Sequence, residues 1–413
     1  MTSAPTPAAG GFPLDLADRC VKCGLCLPHC PTYRLAGVEG ESPRGRIALM
    51  QGLATGALEP GPELVRHLDQ CLACRACERV CPAGVPYGEL LDEGRALLAR
   101  RGHTTLPLQR ALRAVVTRPA LLRRLAAVAR MPGVAGIARR VGGIAARAVA
   151  ILPPRAGGPA AAPTTTPPHN APGGEALLFT GCVGAALDGR SLRDTARLLA
   201  AAGWRVRIPE RQVCCGAVDL HGGRPARARE LAKRNLAAFS GAAPIVACAS
   251  GCGATLLEYG RLPGAAAFAA RVTDPASLLA EARLEFGEPP FRRLALHVPC
   301  TQRNVTRTAG ATRELLARLP GVAVVELAEG CCGAAGEMFL TRPSLSDRLL
   351  DGLLDALERD LPDVLVTSNI GCALHFGAGL RRRGLDLPVL HPASLVLRSL
   401  APSGGGGALE SPP

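Results

Sequence analysis

Between Leu108 and Ala129 the apolar residues return every three or four positions: Leu108, Leu112, Val115 and Val116, then Leu121, Leu122, Leu125 and Val128. That period places them along one side of a helix. Pro119 and Pro132 cannot continue a helix, because proline lacks the N–H and its ring clashes with the preceding turn, so the stretch divides into short helices. Arg110, Arg113, Arg123, Arg124 and Arg130 occupy the other positions. A basic amphipathic helix suits a membrane surface or a partner, but also serves as a packed connector with a solvated face, the reading favoured here. Beyond residue 174 the pattern changes. Short apolar runs (Ala176 to Thr180, Arg205 to Ile208, Ile245 to Ala247; Leu294 to Val298, Val322 to Leu327, Val364 to Thr367) alternate with helical stretches such as Arg190 to Ala202 and Leu345 to Leu357. Alternation of this kind predicts small α/β domains with parallel sheets.

That half of the chain is an internal repeat. The first copy runs Cys182, Cys214-Cys215-Gly216, Gly251-Cys252 and Asp274-Pro275-Ala276-Ser277-Leu278; the second runs Cys300, Cys331-Cys332-Gly333, Gly371-Cys372 and His391-Pro392-Ala393-Ser394-Leu395. Matched landmarks are separated by 118, 117, 120 and 117 residues, so both copies share one framework. Cysteines at strand ends then converge on the carboxyl edge, where open α/β sheets put their sites.

Composition limits the alternatives. Hydrophobic residues are 48% of the 413 and aromatics only 3%, so the cores rest on Ala, Leu and Val. The net charge of +14 is almost all arginine, which favours an acidic partner subunit or anionic lipid headgroups. Nucleic acid is disfavoured, since no basic motif is interleaved with aromatics. Seventeen cysteines, an odd number, with no apolar signal segment after Met1, point to reduced, metal-bound thiols in the cytoplasm. The longest apolar run, Val141 to Leu152, is too short to span a membrane and carries Arg147.

The chemistry is concentrated in two runs, Cys20-x-x-Cys23-x-x-Cys26-x-x-x-Cys30-Pro31 and Cys71-x-x-Cys74-x-x-Cys77-x-x-x-Cys81-Pro82. Each has the bacterial ferredoxin spacing for a [4Fe–4S] cluster, in which the fourth cysteine ligates the other cluster. The expected sets are Cys20, Cys23, Cys26 and Cys81 for one cluster, and Cys71, Cys74, Cys77 and Cys30 for the second. Small or flexible residues such as Gly24 and Ala73 leave room for backbone N–H groups to reach the sulfurs. Zinc is the alternative for paired Cys-x-x-Cys units, and two complete eight-thiolate copies with the following prolines argue against it. A helical insert around Arg44 to Leu58 separates the loops. In the first repeat copy Cys182, Cys214, Cys215, Cys248 and Cys252 form a candidate third iron–sulfur centre, because soft thiolate sets favour such centres. In the second copy Ser368 replaces the thiol matching Cys248, which argues against an identical centre; packing of small buried thiols is the competing reading for both copies. His297, three residues before Cys300, is a candidate ligand or proton donor, with a structural role favoured.

These features resemble the iron–sulfur subunits of bacterial glycolate oxidase (glycolate dehydrogenase). The strings that carry the likeness are Cys20-Val-Lys-Cys-Gly-Leu-Cys-Leu-Pro-His-Cys-Pro-Thr-Tyr33, Ser42-Pro-Arg-Gly-Arg-Ile47, His67-Leu-Asp-Gln-Cys-Leu-Ala-Cys-Arg-Ala-Cys77 and His297-Val-Pro-Cys-Thr-Gln302. The resemblance implies a complex in which a separate FAD subunit oxidises glycolate to glyoxylate and this chain takes the electrons. It implies eight ferredoxin cysteines as ligands, no catalytic residue on this chain, and a cytoplasmic location, with peripheral contact to the inner face of the membrane and its quinone. Related families serve glycerol-3-phosphate or lactate oxidation, or reduce heterodisulfides at Cys-Cys-Gly domains. No Gly-x-Gly-x-x-Gly turn follows a strand and no base-plus-arginine site is evident, so the chain is not expected to oxidise a hydroxy acid alone. The expected fold class is α+β and multidomain: a disordered start (1–13), a helical ferredoxin-like domain with two [4Fe–4S] loops (14–100), a helical connector (101–152) and a Pro/Gly-rich linker (153–174). Two tandem α/β cysteine-rich domains (175–290 and 291–402) and a disordered tail (403–413) follow.

Overall fold

The computed structural model describes residues 11–103, 107–154 and 174–401. The expectations of a disordered start, an interdomain linker and a disordered tail fall almost wholly outside these residues.

The N-terminal part is helical. Ser42 caps the helix Pro43–Thr55 by accepting from the Gly45 N–H at 2.9 Å, with Pro43 in the first turn, where its missing N–H costs nothing. This helix is the expected insert between the cysteine loops. It packs on the helix Tyr87–Arg100, and Met50, Leu53, Leu68, Leu90 and Leu91 make a core with no exposed surface.

The connector consists of four short helices, Pro107–Val116, Pro119–Ala129, Pro132–Val141 and Gly143–Ile151. Pro119 and Pro132 each open a helix, as the sequence predicts. The apolar stripe is only partly inward: Leu125 and Val128 are exposed, and Ala126 makes the buried contact beside Ala186 and Leu187. Leu122 of the stripe packs on the same cluster, and the small Ala126 side chain lets the two helices approach closely.

Each repeat copy folds into one four-stranded, all-parallel sheet. The first contains β1 (Gly174–Phe179), β2 (Trp204–Arg207), β3 (Ile245–Ala247) and β4 (Val272–Thr273) in the order β2-β1-β3-β4. The second contains β5 (Arg293–His297), β6 (Ala323–Glu326), β7 (Val364–Thr367) and β8 (Val389–Leu390) in the order β6-β5-β7-β8. The fold is therefore α+β: a helical iron–sulfur region followed by two small parallel-sheet domains. Strand alternation sends Leu178 and Val246 of one sheet, with Leu294, Leu296 and Val366 of the other, into a single shared core. The opposite face of each sheet has its own cluster, around Leu177 and Phe179 in the first and Ala295 and Leu365 in the second. Among the described residues, no helix is long and apolar enough to cross a membrane.

Candidate functional site

Both ferredoxin-type loops bend in the same way. Lys22 (φ 55°) and Gly24 (φ 86°) in the first correspond to Ala73 (φ 50°) and Arg75 (φ 58°) in the second. Alternating left-handed residues turn successive N–H groups toward the concave side, a nest that suits anionic sulfur. Sequence reasoning picked out Gly24 and Ala73 but missed Lys22 and Arg75, because neither residue type advertises a positive φ. Arg75 is held in place by ion pairs to Glu78 (2.7 Å) and to Glu258 of the first cysteine-rich domain.

The fourth cysteine of the first run leaves its own loop. Cys30 lines a small cavity together with Cys71, Cys74, Cys77, Arg46 and Tyr87. Burial pushes the Cys74 and Cys77 thiols well up, and neighbouring thiolates, Cys30 among them, add to the rise. A group that shares charge among these sulfurs fits that cavity, whereas four separate buried thiolates do not. The Tyr87 hydroxyl lies 3.4 Å from Cys71 Sγ. The other set is nearer the surface: Cys23 is exposed, while Cys20, Cys26 and Cys81 rest against the same core. Burial raises the Cys26 thiol, and the charges of Cys20 and Cys30 raise it further, although backbone N–H bonds oppose them.

The string Ser42-Pro-Arg-Gly-Arg supports the second set from behind. Arg46 is 1% exposed, pairs with buried Glu41, and donates to Thr32 Oγ1 (3.0 Å) and to the His67 carbonyl (2.7 Å). Its positive charge faces Cys71 and Cys30. Gly45 is required for a different reason, since a Cβ there would lie 2.0 Å from the Glu39 carbonyl oxygen.

In both repeat copies the Cys-Cys-Gly turn has one design. Gly216 (φ 88°) and Gly333 (φ 79°) are left-handed, and each N–H donates at 3.4 Å to the sulfur two residues back, Cys214 or Cys331. A Cβ on Gly333 would also meet the Ser346 carbonyl at 2.5 Å. In the first copy Cys214 lies 3.5 Å from Cys182, and Cys215 is beside Cys252. Cys248 does not join them. It continues β3 on the face shared with Val246, in the interdomain core, and its sulfur donates to Thr195 at 3.4 Å. Burial pushes that thiol up to about 12. Of the five candidate thiols, Cys182, Cys214, Cys215 and Cys252 stand together, while alternation along the strand turns Cys248 to the other face of the sheet. Ser368, its counterpart, likewise turns aside and donates to Gln302. Each copy therefore presents four clustered thiols, and Ser368 does not distinguish them.

The second copy meets the ferredoxin region directly. Cys300 and Cys331 interact with each other and pack with Cys74, while Asn304 donates to the Cys74 carbonyl at 2.7 Å. Cys332 is 3.0 Å from Cys372. Burial pushes His297 down to about 3, so its imidazole is neutral, and Nδ1 lies 3.0 Å from Thr367 Oγ1. Asn369, which no sequence signal marked, links the two thiol groups: it donates to Cys372 Sγ and accepts from the Gly251 N–H, each at 3.4 Å, one residue from Cys252.

Thiol loops of ferredoxin type joined to two Cys-Cys-Gly parallel-sheet domains define an iron–sulfur protein of the dicluster class. Residues 16–85 match the family described as 4Fe-4S dicluster domain, and residues 176–257 and 294–377 match the cysteine-rich domain family. The chain is 34% identical to the probable glycolate oxidase iron-sulfur subunit of Bacillus subtilis, over 92% of this chain and 93% of the relative. It is 35% identical to the glycolate oxidase iron-sulfur subunit of Escherichia coli, over 88% and 90%. A fumarate reductase (CoM/CoB) subunit of Methanothermobacter marburgensis is more distant, at 25% over 91% and 71%. The chain belongs to the family of glycolate oxidase iron–sulfur subunits, and it carries iron–sulfur clusters.

Proposed function

We propose that this chain is the electron-transfer subunit of a multisubunit complex that oxidises glycolate to glyoxylate. A separate FAD subunit takes the electron pair from the hydroxy acid, and two [4Fe–4S] clusters on this chain accept electrons singly and pass them toward a quinone or another carrier. Cys20, Cys23, Cys26 and Cys81 would hold one cluster, and Cys71, Cys74, Cys77 and Cys30 the other. The observation that carries this reading is Cys30, which sits with Cys71, Cys74 and Cys77 around one cavity instead of with its own loop. That crossover is what a two-cluster ferredoxin unit requires.

The protein's own groups tune the site. Arg46 places a buried cation behind the second thiol set and the Tyr87 hydroxyl approaches Cys71, both of which favour the more electron-rich state. Cys23 is exposed between Val21 (72%) and Leu25 (57%), an apolar edge that suits entry of electrons from a partner. The second set lies against the cysteine-rich domains, which suits onward transfer.

Anaerobically purified chain should be brown, contain about eight irons with matching sulfide, and show no glycolate-dependent dye reduction until a flavin subunit is added. Glycolate-dependent reduction by the isolated chain would overturn the proposal. Colourless protein containing zinc would do so equally.

A further inference from the structure

The two repeat copies differ where their first strands end. β1 closes on Phe179 and β5 on His297, 118 residues apart like Cys182 and Cys300. Phe179 completes an apolar cluster, its ring 5.8 Å from that of Phe239. His297 replaces that phenyl ring with an imidazole, 3% exposed and set edge-on to Phe376 at 4.9 Å. With Nδ1 occupied by Thr367, its Nε2 has no hydrogen-bond partner. Leaving a buried polar nitrogen unpaired is unfavourable, so a phenylalanine would be the better choice if packing were the only requirement.

Two thiols lie close to this imidazole. One ligand atom each from His297, Cys332 and Cys372 lie within 4.8 Å of one another, and all three residues are buried. The Thr367 hydroxyl lies 3.0 Å from Nδ1 and can accept its N–H, the tautomer that leaves the lone pair on Nε2 as an oriented metal-ligating imidazole requires. Asn369 Nδ2 donates to Cys372 Sγ, a contact that stabilises thiolate over thiol. Cys331 meets Cys300 on the side of Cys74 and Cys332 on the other, and among the described residues it is Cys332 and Cys372 that form the tight group with His297.

We propose that the second cysteine-rich domain holds a single tetrahedral divalent ion, zinc or ferrous iron, through His297 Nε2, Cys332 Sγ and Cys372 Sγ. One nitrogen and two sulfurs form a borderline-soft donor set of the kind those ions take, and the fourth position is left to a ligand from outside these side chains. The first copy, with Phe179 at the equivalent place, offers sulfur alone and lacks this site.

Metal and sulfide analysis of the full chain, purified anaerobically from medium containing both metals, tests the proposal. Wild type should carry one zinc or one iron per chain beyond the iron matched by sulfide. His297→Phe should lose that equivalent at least tenfold with iron–sulfur EPR unchanged, and His297→Cys should retain it. Wild type with no excess metal, excess metal kept in His297→Phe, or excess iron accompanied by equal sulfide would each overturn it. Should His297→Phe not fold, wild type decides alone. Zinc-edge absorption should show one nitrogen and two sulfurs, or Mössbauer spectra a ferrous site separate from the clusters; an all-sulfur shell would refute the assignment.

Discussion

Arg46 lies between Glu41 and the thiols of the second loop with almost no solvent contact. Removing one partner of a buried ion pair leaves the other charge unpaired, so Arg46→Met should cost about 3–5 kcal/mol. Anaerobic denaturant titration checks this, and Arg46→Met with Glu41→Leu should recover part of the loss. Cys248 makes the opposite prediction. Because it faces the interdomain core, Cys248→Ser should leave iron, sulfide and EPR signals as in wild type. Lost iron in that variant would restore the five-thiol centre. These two residues mark what was legible at this scale. The eight ferredoxin cysteines follow from spacing alone, since three short intervals and a proline describe a loop that needs no tertiary information. The side of a strand on which Cys248 emerges depends on register, and the roles of Asn369 and Arg75 depend on contacts across domains; neither leaves a trace in local spacing.

Among the elements, the connector helix Gly143–Ile151 is tied to the second cysteine-rich domain through Asp347. Arg147 and Arg382 pair with its carboxylate and His375 lies 3.4 Å away. Burial raises this carboxyl, but those hydrogen bonds and charges outweigh it and hold the group well below the usual range. A carboxylate lowered in the folded state contributes stability above its unfolded value near pH 4 and loses it as the pH falls further. Asp347→Asn should therefore melt lower than wild type at pH 7, with the gap narrowing below pH 4 in thermal scans. The helices themselves were readable from periodicity and proline. Among the described residues, six of the eight strands were readable from apolar runs, whereas β4 and β8, two residues each, are too short to carry an alternation.

The whole molecule joins three regions by contacts that a single-domain view would miss. Arg75 to Glu258, Arg79 to Glu329 (2.6 Å), and His221 to Asp92 (2.8 Å) clamp the ferredoxin-like region onto both repeat copies. Its outer edge at Val21 and Leu25 remains free of these clamps. The double variant Val21→Asp, Leu25→Asp should keep full iron content while slowing reduction by the flavin partner at least tenfold; an unchanged rate would move the entry point elsewhere. The shared core between the two sheets constrains both copies as well. A change of volume on one inner face must be met on the other, because each packs against its twin. The strand tips have no such obligation. Phenylalanine at one tip and histidine at the other mark where a duplicated fold could divide its labour without unpicking the seam that joins its halves.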